Sequence, residues 1–216
     1  LALRDLDAVD YVGLVNPDSF VEPGWLRAMV GGIEADEGLG AVSARMLFAD
    51  RFAEVVVESP TFSPAGPDPR ELGVMVSGLR VDGVDRWRDT QVAEGAWGIE
   101  HLADGTTFQW TGAQATVRVP VGDGSSLPDR VELALAAEAP KRVTVRSGGT
   151  ERTLEVGRDR AWHEVPIGGA PVDIVNNVGS VIIEGGYGAD RGFLEPDDGQ
   201  YDAPAEVFAW CGGSVL

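Results

Sequence analysis

Between residues 106 and 167 the chain repeats one pattern: a short run of alternating apolar and polar residues, then a turn. The runs are TTFQWTG, ATVRVPV, RVELALAA, RVTVRSG, RTLEVG and AWHEVPI. Turn-forming pieces separate them, among them GDGSS, AEAPK, SGGTE and GRDRA. A side-chain period of two belongs to a strand with one buried face. In RVTVRS it turns Val143 and Val145 inward and leaves Arg142, Thr144 and Arg146 to water. In RVELALAA it turns Val131, Leu133 and Leu135 inward. Short runs at roughly ten-residue spacing predict an antiparallel β-sandwich or jelly roll.

The flanks have a different texture. YVGLVN (11–16) is an apolar run suited to a buried parallel strand. Pro23, preceded by Glu22, stands where a first helical position would be, and Leu26, Met29, Val30 and Ile33 follow at helical spacing. The helix is expected to end near DEGLG, and GAVSARMLF (40–48) reads as a second strand. Strand, helix, strand predicts a βαβ unit and a parallel sheet. Pro60, Pro64, Pro67 and Pro69 then interrupt any ladder hydrogen bonding, so 59–71 reads as a linker. Beyond GGAP, VDIVNNVGSVIIEGG reads as strand, loop, strand, and AEVFAWCGGSVL as a further strand broken by glycines. The predicted organisation is an α/β part, residues 1–58 and 172–216, interrupted by a β-sandwich over 59–171.

Composition narrows the partners. A net charge of −18, from 17 basic and 35 acidic side chains, argues against nucleic acid, whose phosphates would be repelled. A surface adapted to salt or to genome composition accounts for the charge equally well. An anionic nucleotide would need a bridging cation. Cys211 is the single cysteine, which excludes an internal disulfide and a cysteine-based zinc cluster. No run reaches the roughly 18 apolar residues of a membrane span.

Two stretches carry a family likeness. Residues 11–48, YVGLVNPDSFVEPGWLRAMVGGIEADEGLGAVSARMLF, resemble family 2 glycosyltransferases: a hydrophobic strand runs into N-x-D, followed by P-G-W-L and a helix. Residues 188–216, GADRGFLEPDDGQYDAPAEVFAWCGGSVL, resemble the rhamnosyltransferase-like branch of that family. The likeness implies a Rossmann-like nucleotide-sugar transferase sheet and inverting transfer of a sugar from a nucleoside-diphosphate donor to a cell-envelope glycan or lipid-linked acceptor. It implies a divalent cation, Mg or Mn, with Asp18 as its ligand and Asn16 beside the diphosphate. Trp210, Cys211, Gly212 and Gly213 would border the acceptor. The family's general base is expected beyond Leu216 and its nucleotide-base site before Leu1, so this chain alone is not expected to turn over. The implied setting is cytoplasmic, at the inner face of the membrane in the full-length protein.

Each of these residues has a plainer reading. Asp18 suits a turn or a helix cap, and the glycines after Trp210 suit a bulge. Asp190, Glu195, Asp197, Asp198 and Asp202 read more simply as a solvated loop than as a source of the base. Asp104 and Asp123 sit beside glycines in turns, which explains them without calcium. Trp87, Trp97, Trp110 and Trp162 suit a sandwich core, yet Trp97 and Trp110 are also candidates for stacking on sugar rings. The alternative function is thus a non-catalytic carbohydrate-binding or spacer module centred on 72–170. Open strand edges in the flanking segments would further invite self-association.

Overall fold

The computed structural model describes residues 9–210 and 213–216. Contacts divide the chain into two units, Leu1–Ala49 with Asp173–Leu216, and Asp50–Val172. The second unit is a β-sandwich. One sheet runs in the order Ala161–Pro166, Arg130–Ala136, Met75–Val81, Thr107–Trp110, Glu100–His101, with Val84–Asp85 also pairing Met75–Val81. The other runs Thr150–Val156, Lys141–Ser147, Phe52–Glu58, Gln114–Pro120, Gln91–Val92. The named strand pairs are antiparallel.

The alternating runs explain this architecture. Val131, Leu133 and Leu135 from one sheet meet Val143, Val145, Val55, Val57, Val117 and Val119 from the other in a single closed core. Their polar alternates face outward, where Arg142 pairs with Glu155 at 2.8 Å and Arg146 bonds Glu58 and Glu151. Phe52–Glu58, grouped in the sequence with the first segment, is the middle strand of the five-stranded sheet. The proline-dense stretch is not a free linker. Phe62 pairs with Leu72 through both backbone hydrogen bonds, its ring meets Trp110 edge-on, and Lys141 Nζ lies 5.1 Å over it.

The first unit corrects the expected fold class. Its α-helix is Trp25–Glu34, with Gly24 as N-cap in the left-handed region (φ 94°), so Pro23 precedes the cap instead of opening the helix. Leu14–Val15 pairs antiparallel with Ser214–Val215, and Ser43 bridges the other side of Val215, again antiparallel. The 14–15 and 42–43 segments therefore run the same way but are not neighbours, because the closing strand lies between them. No parallel pair forms among the described residues, and strand outweighs helix 40% to 8%. The chain is thus mostly antiparallel β, not an α/β protein with a Rossmann-like sheet. Met46–Leu47 pairs with Val175–Asn177, and Ser180–Ile182 with Gly188–Asp190, completing this unit in short antiparallel pieces. No helix among the described residues is long and apolar enough to cross a membrane.

Candidate functional site

The strand pair Leu14–Val215 and Val15–Ser214 continues one step further: Asn16 N–H donates to the Gly213 carbonyl at 3.0 Å. The chain then turns. Pro17 fixes its own φ, and Ser19 N–H closes the turn on the Asn16 carbonyl at 3.1 Å, placing Asp18 at the third turn position. Asp18 is exposed, and its carboxylate makes no hydrogen bond or ion pair with a described residue. The helix-cap explanation fails, because the helix begins at Trp25 and no side chain caps it. The turn accounts for the backbone and leaves the carboxylate without structural employment.

Trp25 fastens this corner, a role that spacing alone gives no hint of. Its indole N–H donates to Ser214 Oγ at 2.9 Å, and its ring passes beneath Gly13, where an added Cβ would lie 3.6 Å from both Trp25 and Leu216. Two segments about two hundred residues apart in sequence are thereby held in one place. Trp210 is 46% exposed, with Ala209 bridged to Ser180 next to it. Cys211 and Gly212 lie outside the described residues.

The acidic loop is built into the fold. Arg45 binds Asp197 at 3.0 Å and Asp202 at 2.8 Å, and Asn177 donates to Asp190. Tyr201 donates its hydroxyl to Glu195 at 2.7 Å, a bond that raises the phenol's pKa, while Arg191 lies 4.7 Å over the Tyr201 ring. Asp104 and Asp123 accept the backbone N–H of Thr106 and Ser125, two residues on. Those bonds hold both carboxyls below the usual range, as in an ordinary Asx turn.

Among the described residues no three Asp, Glu, His or Cys side chains converge to hold a metal unaided. The donor set at the Asn16–Ser19 corner is one free carboxylate with a neutral amide beside it. Such a set fits a hard divalent cation that takes its remaining oxygens from a diphosphate and water, and does not fit an all-protein cage.

On the sandwich, the two proposed stacking residues differ in exposure. Trp97 is 39% exposed, while Trp110 is half-buried between Phe62 and Phe108, both edge-on. Trp87 packs toward the core with its indole N–H on Thr107. No family model, curated protein or solved structure matches the chain.

Proposed function

We propose that this chain carries the donor-binding corner of a metal-dependent, inverting glycosyltransferase that moves a sugar from a nucleoside diphosphate to a cell-envelope glycan. The observation that carries the reading is the Asn16–Gly213 hydrogen bond, which joins the N-P-D turn to the closing glycine strand. These are the two stretches on which the family resemblance rests. The proposal concerns the corner and not a Rossmann-like sheet, which the chain lacks.

Asp18 would hold Mg or Mn together with diphosphate oxygens. The cation's contribution is to neutralise charge developing on the leaving diphosphate. Asn16 has its backbone N–H committed to Gly213, which anchors the turn, while its neutral side-chain amide would orient phosphate or a hydroxyl. The Trp25–Ser214 bond keeps the turn and the closing strand in register, so the carboxylate is presented from a fixed frame. Trp210 exposes a broad apolar ring on the side assigned to the acceptor. A chain of net charge −18 repels a free anionic donor, so donor binding should depend on the cation.

Calorimetric titration with a panel of nucleoside diphosphates, with and without Mn2+, tests this reading. Binding is expected only with the metal, and Asp18→Ala should weaken it at least tenfold. Metal-independent binding, or an Asp18→Ala protein that binds as the parent does, would overturn it.

A further inference from the structure

We infer that the outward face of the six-stranded sheet binds a neutral oligosaccharide, with Trp97 as the stacking platform and Arg80, seated on the Trp162 ring, as a hydrogen-bond donor. This rests on the sandwich alone and is independent of the transferase reading.

Register settles which side chains share that face. Leu79, Leu133, Leu135 and Val165 belong to the core, so the alternating Gly78, Ala134, Trp162 and Glu164 point outward. Trp162 stands opposite Ala134, and Ala134 opposite Gly78, which gives a floor almost without side chains. The indole reaches across that floor: an added Cβ on Gly78 would come within 2.9 Å of the Trp162 ring and of the Arg160 guanidinium. Trp110 stands opposite Met75, beside core Val74 and Val76, and is likewise outward. Trp97 donates its N–H to the Trp110 carbonyl at 2.8 Å, and Ala96 bridges Thr111, so Trp97 opposes Trp110 on the same face.

The platform and the donor are each held in place. Trp97 is fixed by its indole N–H on the Glu71 carbonyl at 3.2 Å, and Arg70 lies 5.8 Å from its ring. Arg70 is itself clamped by Asp68 and Glu100, each at 2.7 Å. Arg80 lies 4.0 Å and Arg160 4.9 Å from the centre of the Trp162 ring. Arg160 donates Nε–H to Ser77 Oγ at 2.9 Å. Arg80 makes no hydrogen bond or ion pair with a described residue, which leaves its fork of donors available. Trp97, exposed yet held by its indole N–H, loses little entropy when a ligand covers it.

The charges identify the ligand. Glu164, Glu132, Arg80 and Asp85 lie in one row across the sheet, in register. Glu132 and Asp85 therefore stand on either side of the free donors of Arg80, while Glu164 is already paired with Arg130 at 3.4 Å. Alternating acceptors and donors beside an apolar ring suit hydroxyls above the C–H face of a neutral sugar. A carboxylated or phosphorylated polymer would be repelled by Glu132 and Asp85.

An array of neutral and anionic oligosaccharides probed with the whole chain, in EDTA, tests the inference. Neutral oligosaccharides should be retained and anionic ones not. In titrations with the best-retained oligosaccharide, Trp97→Ala should weaken binding at least tenfold and Arg80→Ala several-fold, with Arg142→Ala on the opposite sheet unchanged. Melting curves verify that each variant folds, and bound oligosaccharide should shield the parent's tryptophan fluorescence from acrylamide. Retention of no neutral oligosaccharide, equal binding by Trp97→Ala and Arg80→Ala, or retention of anionic glycans alone would each overturn it.

Discussion

Asp18 and Asp104 are both turn aspartates, and their local residues alone do not distinguish them. Their backbones differ: Asp104 receives an N–H from Thr106, whereas the Asn16–Ser19 turn closes through backbone atoms and leaves Asp18 unengaged. Hydrogen-bond partners two residues away depend on a few degrees of dihedral, which residue type does not specify. Gly95 is a clearer case of a residue with one permitted identity. It holds φ +75°, and a Cβ there would lie 1.9 Å from the Gln114 carbonyl oxygen. Gly95→Ala should therefore cost more than about 2 kcal/mol of stability in denaturant titration; a loss below about 0.5 kcal/mol would contradict the turn geometry that leads into Trp97. His163 gives a pH signature. Its Nε2 is buried without a hydrogen-bond partner among the described residues, and burial first, then the neighbouring Arg152, pushes its pKa below the ordinary value of 6.5. The unfolded chain then binds the proton more readily than the folded one. The stabilisation is present above about pH 6.5 and is lost as pH falls through and below that value. Melting temperature should drop between pH 7 and 5, and His163→Leu should flatten that drop; an unchanged slope in the variant would assign the effect to other groups.

Among the elements, the sandwich strands were legible because a buried face imposes a period of two on the residues themselves. Val143, Val145, Val131, Leu133 and Leu135 are where the alternation places them, each 2% exposed or less. The flanking elements were less legible. YVGLVN reads as a buried parallel strand, yet its neighbour is the closing strand, antiparallel and about two hundred residues away. Nor is the run buried, with Leu14 47% and Val15 42% exposed: apolar content predicted neither the exposure nor the direction of the partner. That strand also contrasts with the sandwich edge. Thr150–Val156 carries exposed Glu151, Arg152 and Glu155, charges that discourage edge pairing. Leu14 and Val15 are exposed and apolar, and among the described residues their strand pairs on one side only. The chain should self-associate through this edge. Light scattering over a concentration series should show growing mass, reduced by Leu14→Lys; a strict monomer at all concentrations would refute the claim.

At the scale of the whole molecule, the chain alternates between two building principles. Residues 50–172 bury one continuous apolar core between two sheets. The segments on either side, 1–49 and 173–216, form a second unit from short pairings and ion pairs such as Arg45 with Asp197 and Asp202. The candidate residues of that unit were legible as a set, because the N-P-D turn and the glycine strand each stand out in sequence. Their meeting through Asn16 and Gly213, and the Trp25–Ser214 bond that steadies it, depend on long-range pairing that no local pattern encodes. The central claim is that this corner holds a metal and a diphosphate together. Paramagnetic line broadening by Mn2+ in amide NMR spectra examines it most directly. With a nucleoside diphosphate present, the amides of Asn16, Asp18, Ser19 and Gly213 should broaden first, and Asp18→Ala should abolish the effect. Broadening confined to other acidic surfaces, or persisting at this corner in Asp18→Ala, would contradict the account.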